Sequence, residues 1–329
     1  MNKGEAENCL SPFSDKESWI MGKMSYFKKK KLSFFSFVLP AAIFMTVLII
    51  YPILYNVYMS FKNVDLMNFA TGESHFIGLE MYKDILGEKV TFTAIKNTLV
   101  YTILCLLFQF PIGFAMALFF GKRFKLASFL RGFNVIAWMV PMVAVAGVFK
   151  YMFNSDVGII NQILMNLHII RKPIEWLAHG NTSMAAVVVA KTWKGVPFNM
   201  LLLATALTTL PADYFEAASI DGATKWQSFI YITLPLLKPA IISTLTLGFI
   251  YTFKVFDLVY VMTGGGPGTS TEMLSTLAYR YSFSEYNFSK GAAVANILFV
   301  LLMLVGVFYI KMVMNEDKEE DAVRKSIKE

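Results

Sequence analysis

Six long apolar runs dominate the sequence and leave few folds open to it. A helix needs about 20 apolar residues to cross the roughly 30 Å hydrocarbon core of a bilayer. Inside lipid the backbone has to satisfy its own hydrogen bonds, which favours helices. With 56% hydrophobic and only 16% charged residues, a soluble chain of this length would leave much apolar surface in water. We therefore predict an all-α membrane protein with six transmembrane helices, near residues 33–58, 97–120, 132–152, 184–207, 240–262 and 292–313.

The distribution of Lys and Arg predicts the orientation of these spans. Placing the N-terminus inside puts 18 basic residues in the inner segments and 9 in the outer ones, as the positive-inside rule requires. Both termini are then cytoplasmic. The net charge of +7 is explained by this topology and by the cluster at 28–31, which lies where anionic lipid head groups attract it. Nucleic-acid binding is not indicated.

The apolar pattern also divides the chain. Residues 1–32 and 315–329 are polar and are predicted to be flexible cytoplasmic tails on either side of a transmembrane domain, 33–314. The first span is too long for a signal peptide and no small-residue cleavage site follows it, so we expect it to be retained. Residues 60–96 mix aromatic and charged side chains, which indicates a small folded cap with a helix near 80–86. After the third span, apolar residues at helical spacing predict a short amphipathic helix; they are Ile159, Ile160, Ile163, Leu164 and Leu167.

The segment EAASIDGATKWQSFIYITLP, residues 216–235, is a polar island between two spans. Local physics alone predicts two short helices here. Asp213 is placed to cap the first, with Glu216 at its N3 position, and Gly222 to end it in a left-handed conformation. Thr224 and Gln227 form the same capping pattern for the second. Capping does not explain why small and apolar residues such as Ala217, Ala218 and Trp226 face the cytoplasm, and such a surface indicates a partner.

This island resembles the cytoplasmic coupling loop of ABC importer permeases, here spanning 208–238. The resemblance extends through WKGVPFNMLLLATALTTLPADYFEAASIDG, ITLPLLKP and VFDLVYVMTGGGPGTST, and covers nearly all of 35–313. It is strongest with the carbohydrate-uptake branch of maltose and glycerol-phosphate type. A further pattern of that branch is formed by Phe153, Asn154, Gly158, Asn161 and Leu164. The fold implied is that of an ABC type I importer permease.

The resemblance implies what surrounds the chain. Such a permease lies in a bacterial or archaeal cytoplasmic membrane and pairs with a second homologous permease. The pair works with two ABC ATPase subunits and an external solute-binding protein, and it imports sugars by alternating access. ATP and magnesium would be used by the ATPase. The resemblance implies that this chain binds no cofactor or metal and is not itself an enzyme. The coupling residues carried over are Glu216, Ala217, Ala218, Asp221, Gly222, Leu234 and Pro235.

The glycine-rich run TGGGPGTST invites a nucleotide-binding interpretation that its chemistry does not support. A P-loop requires G-x-x-x-x-G-K-[ST], with a lysine that reaches the terminal phosphates, and this pattern does not occur in the sequence. We predict an external turn.

Charged side chains within spans indicate a substrate pathway, because they are costly in lipid and usually face a cavity or a partner. Lys191 and Lys194 lie in the fourth span. Lys254 and Asp257 lie in the fifth, spaced so that they could instead neutralise each other. With polar and aromatic neighbours, the predicted pathway residues are Trp193, Asn199, Tyr251, Lys254, Asp257, Tyr260 and Asn296.

Two other classes of protein share some of these features. An ion-coupled secondary transporter is also a helical bundle with buried charges, but it commonly shows an inverted repeat, which is not evident here. A membrane scaffold or sensor would bind a partner without transport, and it does not account for polar groups in three spans.

Overall fold

The computed structural model describes residues 38–121 and 125–326, so the predicted tail 1–32 and residues 33–37 of the first span lie outside the described residues. The chain divides into two units, Met1–Tyr58 and Met59–Glu329. The first described helix, α1 (Val38–Ser60), accounts for the first span. Within it, Thr46–Ile50 form a π-helical turn.

The remaining elements follow in chain order. They are β1 (Lys62–Asn63), α2 (Leu66–Thr71), β2 (His75–Phe76), α3 (Glu80–Gly87), α4 (Lys89–Gly121), α5 (Ala127–Met139), α6 (Met142–Met152), α7 (Ile159–Asn166), α8 (Gly180–Thr208), α9 (Ala212–Ile220), α10 (Lys225–Phe253), α11 (Asp257–Met262), α12 (Leu274–Tyr279) and α13 (Phe288–Ser326).

The prediction of an all-α membrane protein is confirmed, and the described residues contain five candidate spans, or six if one bent helix pair is counted as a span. Helices α1, α4, α8, α10 and α13 are long and apolar enough to cross a bilayer, and α5 with α6 passes the same test as a pair. The third span is nevertheless not the single helix predicted over 132–152, since α5 and α6 meet at an angle of 92°. Val140 adopts an extended ψ of 133° before Pro141, because the proline ring disfavours a helical conformation at the residue before it.

The fifth predicted span, 240–262, also differs from the structure. Helix α10 begins already at Lys225 and ends at Phe253, so its 29 residues supply the length of a span before Lys254 is reached. Lys254 ends the helix, and Asp257 begins α11. The prediction that these two residues lie on one helix is therefore wrong.

The last helix continues beyond the predicted sixth span. Helix α13 runs to Ser326, so 315–326 are helical and the prediction of a flexible tail is wrong there, whereas 327–329 lie outside the described residues. This segment contains three Glu and two Lys, which have high helix propensity. A high content of charged residues is therefore compatible with helix as well as with a flexible tail.

Two smaller predictions are confirmed outside the long helices. Residues 60–96 form a folded cap, in which β1 pairs antiparallel with β2 and α3 covers the predicted helix near 80–86. The amphipathic helix is α7. Buried Asn161 anchors it, because its side chain donates to Ser155 O and Ile174 O and accepts from the backbone of Ile174 and the indole of Trp176.

The bundle is built around α4 and α8, which run in the same direction. Gln109 Nε2 donates to Lys191 O at 3.4 Å, and one turn further along Gly113 lies against Asn199. A Cβ at Gly113 would lie 2.6 Å from Asn199 Cβ, so glycine permits this close approach. Asn97, near the start of α4, donates to Thr269 O at 3.0 Å, whereas the end of α8 leads into α9. The glycine-rich turn and α9 thus lie at opposite ends of the α4–α8 pair.

Candidate functional site

The first candidate site is the hairpin formed by residues 211–235, called here the coupling hairpin. Gly222 ends α9 with φ of +78°, as predicted. The N–H of Ala223 bonds to Ala218 O at 2.9 Å and that of Gly222 to Ser219 O at 3.2 Å, which is the Schellman arrangement. The close return of the chain after α9 is therefore fixed by local hydrogen bonds.

The start of each hairpin helix is also set locally. Thr224 and Gln227 form the predicted capping box. Asp213 does not cap α9, because the helix already begins at Ala212 and Pro211 occupies the N-cap position. Asp213 lies instead in the first turn, where a carboxylate is favourable towards the helix dipole.

The coupling hairpin exposes large apolar side chains to solvent. Ile220 is 87% exposed, Trp226 68% and Tyr231 75%, although Trp226 stacks on Phe229 at 5.8 Å. A groove of about 290 Å³ lies between the turn that follows α9 and the first turns of α10. Its lining residues are Asp221, Gly222, Ala223, Gln227, Ser228, Tyr231 and Ile232.

The predicted coupling residues all lie in this hairpin. Ala218 and Leu234 are half-buried, and the others, Glu216, Ala217, Asp221, Gly222 and Pro235, are exposed. Within the described residues the carboxylate of Glu216 takes part in no ion pair. The arrangement presents an acidic group beside an apolar surface, which suits docking to another protein.

The second candidate site is a cavity of about 280 Å³ among α4, α5, α6, α8 and α10, called here the central cavity. Its lining residues are Gln109, Trp138, Met142, Lys191, Lys194, Gly195, Phe198, Gly248, Tyr251 and Thr252. A Cβ at Gly195 would lie 2.1 Å from Gln109 Oε1, so a side chain there would displace Gln109.

One side of the central cavity is aromatic. Trp138 stacks on Phe198 with ring centroids 5.8 Å apart, and Phe198 meets Tyr251 edge to face at 5.8 Å. The three rings come from three helices and form a continuous wall. Flat apolar faces next to hydrogen-bonding groups suit the rings and hydroxyls of carbohydrates.

Lys194 is held by the protein itself. Its Nζ donates to Trp138 O at 2.9 Å and also to Val140 O, which are carbonyls left without helical partners where α5 ends. A cation at a helix C-terminus is also favourable towards the helix dipole. Lys194 therefore stabilises the break between α5 and α6.

Of the predicted pathway residues, Tyr251 lines the central cavity. Lys254 lies over the Tyr251 ring at 5.4 Å. Asp257 is exposed, and in the described part of the chain no ion pair joins it to Lys254. Asn199 is buried beside the cavity and donates to Gly195 O at 2.9 Å.

The other three predicted pathway residues lie elsewhere. Trp193 packs on Phe149 at 5.7 Å and lines a separate apolar groove of about 940 Å³. Tyr260 stacks on Phe256 at 5.1 Å. Asn296 donates to the hydroxyls of Ser60 and Tyr82, both at 3.0 Å. Gln109, Trp138 and Phe198 were not predicted, since no local pattern distinguishes them from packing residues.

The glycine-rich segment is a turn, as predicted, and the chain's own carboxylate occupies it. Oxygens of Glu272 lie 3.0 Å from the position of a Cβ at Gly265, whose φ is +90°. Glu272 accepts from Thr276 and Arg280, both at 2.6 Å. Burial raises the pKa of this carboxyl, against the opposing effect of these two partners. A bound carboxylate leaves no room for phosphate at this position.

Comparison with known proteins assigns the family. Residues 109–315 match the family described as binding-protein-dependent transport system inner membrane component. The chain belongs to this family. The chain is 33% identical over 294 residues to the trehalose/maltose transport system permease protein MalF of Thermococcus litoralis, covering 89% of this chain and 97% of that protein. It is 32% identical over 278 residues to the sulfoquinovosyl glycerol transport system permease protein SmoG of Agrobacterium fabrum. This match covers 84% of this chain and 89% of that protein.

The fold agrees with this assignment. A crystal structure of a bacterial ABC transporter involved in the import of the acidic polysaccharide alginate matches with a TM-score of 0.76 at 21% identity, covering 89% of this chain and 99% of that one. The protein is thus a multi-pass permease subunit of an ABC importer and not itself an enzyme. This membership decides against the secondary transporter and the scaffold.

Proposed function

We propose that this permease forms one half of the pore of an ATP-driven carbohydrate importer that works by alternating access. The central cavity carries the proposal, because its aromatic wall and polar groups lie inside the bundle where a substrate would pass. The similarity to permeases named for maltose, trehalose and sulfoquinovosyl glycerol supports a carbohydrate.

The coupling hairpin, the central cavity and the family description support the proposed partners. The coupling hairpin would dock in a cleft of a separate ATPase, which binds ATP and magnesium and performs the hydrolysis. A second, homologous permease would complete the pore, with one ATPase for each permease. The family description, binding-protein-dependent, supports an external solute-binding protein that delivers the sugar.

The proposed orientation places both termini and the coupling hairpin in the cytoplasm. In the structure the cap leads into the start of α4, and the coupling hairpin follows the end of α8. Because α4 and α8 run in the same direction, this supports placing the cap and the hairpin on opposite sides of the membrane. Cysteines introduced at Gly72 and Gly266 should react with an impermeant thiol reagent added to intact cells, and one at Thr224 should not. Labelling at Thr224 from outside would overturn the orientation.

Glu216 provides the test of docking. If its carboxylate meets a basic residue of the ATPase, its loss leaves that charge buried and unpaired, which costs roughly 2 to 5 kcal/mol. We expect Glu216→Ala to reach the membrane but to lose substrate-stimulated ATP hydrolysis and co-purification of the ATPase. The matched control is Asp213→Ala, which removes an exposed acidic group from the same helix and should keep both. Normal coupled hydrolysis in reconstituted Glu216→Ala would exclude the docking role.

A further inference from the structure

We propose that the central cavity selects an acidic carbohydrate, with Lys191 pairing with its carboxylate, sulfonate or phosphate. This inference rests on the proposed function of the cavity as the sugar pathway. It adds the chemical class of the substrate and the residue that recognises it.

The position of Lys191 beside the central cavity supports this role. Lys191 is one of the residues that line the cavity, yet it is only 7% exposed. The titratable groups that act on it are the Cys105 thiol of α4 and Lys194 of its own helix. Neither is a carboxylate, and the described lining of the cavity contains no Asp or Glu.

The two lysines of the cavity differ in what they bind. Lys194 is satisfied by two carbonyls at the end of α5. Within the described residues Lys191 Nζ has no hydrogen-bond or ion-pair partner, and the contact with Gln109 is made by the Lys191 backbone carbonyl. Lys191 therefore retains the capacity to bind a group that enters the cavity.

Two other charged groups in the described part of the chain that are withdrawn from water do have partners. Buried Glu272 is paired with Arg280 at 2.6 Å, and half-buried Glu88 with Lys290 at 2.7 Å. Burying an ammonium without a partner is unfavourable, and its attraction to an anion is stronger in the low dielectric of the interior than in water. An oxyanion on the substrate supplies the missing partner.

The aromatic wall completes the recognition. A sugar ring lying against Trp138, Phe198 and Tyr251 would place a charged substituent within the same small cavity as Lys191. The volume of about 280 Å³ lies at the low end of ligand pockets, so the cavity suits a small part of a saccharide. Ring and charge are thus bound by different elements of one site.

The test uses the complete importer, with its second permease, ATPases and binding protein, reconstituted in proteoliposomes. Uptake is measured for radiolabelled neutral disaccharides and for their uronic-acid, 6-phosphate and 6-sulfo counterparts. We expect the unaltered importer to take up an oxyanion-bearing member. At saturating loaded binding protein, K191Q should lower its uptake about 10- to 100-fold, as expected for a lost charge-assisted hydrogen bond, whereas K191R should retain it within a few-fold.

Controls separate this inference from the proposed function. Lys150, an exposed lysine that donates to Val261 O at 3.1 Å, provides K150Q, which should leave uptake unchanged. Uptake of neutral sugars alone, or equal uptake of acidic sugars by K191Q, overturns the role of Lys191 while the importer function stands. Uptake of no sugar in either set overturns the proposed function and this inference with it. Should K191Q fail to assemble, the preference of the unaltered importer still decides between acidic and neutral substrates.

Discussion

The coupling hairpin and the central cavity depart from ordinary burial in opposite ways. The hairpin exposes Ile220, Trp226 and Tyr231 to water, and the lining of the cavity includes the buried Lys191. Exposed apolar patches and buried polar groups are the informative exceptions to the usual distribution of residues. The comparison suggests that each region is completed by another molecule, a protein at the hairpin and a solute at the cavity.

The largest expected effect is that of Gly222→Asp in the coupling hairpin. The substitution adds a side chain and a charge at a tight corner of the proposed docking surface, where φ is +78°. We expect at least a tenfold loss of substrate-stimulated ATP hydrolysis in the reconstituted importer, with a normal amount of protein in the membrane.

The chain offers a close control for this substitution. Gly72 ends α2 with φ of +74°, and, like Gly222, has no atom within 4 Å of an added Cβ. Gly72→Asp should therefore carry the same local strain, of order 1 kcal/mol, and retain coupled hydrolysis. Equal loss in both variants would show that backbone strain, and not docking, is the cause.

A smaller effect is expected from Lys194→Met beside the central cavity. The change removes the donor to Trp138 O and Val140 O and leaves these carbonyls unpaired, at a cost of about 1.5 to 3 kcal/mol. The melting temperature of the purified protein should fall. Lys254→Met, which loses only a contact with the Tyr251 ring, should change it much less, and equal melting temperatures of the two variants would contradict the structural role of Lys194.

The smallest effect is expected from Thr224→Ala, which removes the capping box of the hairpin. Loss of an N-cap costs about 0.5 to 2 kcal/mol of local helix stability, and the exposed apolar surface is retained. Coupled hydrolysis should stay within twofold of the unaltered importer. A loss as severe as that of Gly222→Asp would mean that hairpin stability limits coupling.

The sequence predicted the hairpin better than the cavity for a physical reason. The roles of Gly222, Thr224 and Gln227 depend on neighbours within five residues, so their pattern can be recognised directly. Asp213 was misplaced because Pro211 starts the helix earlier. The docking role of the coupling residues stays a prediction.

The cavity depends instead on residues far apart in the chain. Lys191 and Tyr251 stood out by their chemistry, whereas Gln109 and Trp138 look like ordinary residues of apolar helices until α4 and α5 pack on α8. The helix breaks at Pro141 and at Lys254 change the direction of the chain inside apolar stretches. Hydropathy alone does not indicate where a helix within such a stretch ends.

Helix α8 gives the two regions a mechanical connection. Lys191 and the end of the helix at Thr208 are separated by about 26 Å at the usual rise per residue, and the coupling hairpin follows directly. If the helix moves as a rigid lever, a tilt of about 5° at the hairpin shifts Lys191 by about 2 Å over that length. Such a displacement is enough to break a hydrogen bond. If the hairpin docks as proposed, its movement at the end of α8 can thereby release an anion held by Lys191, near the middle of that helix.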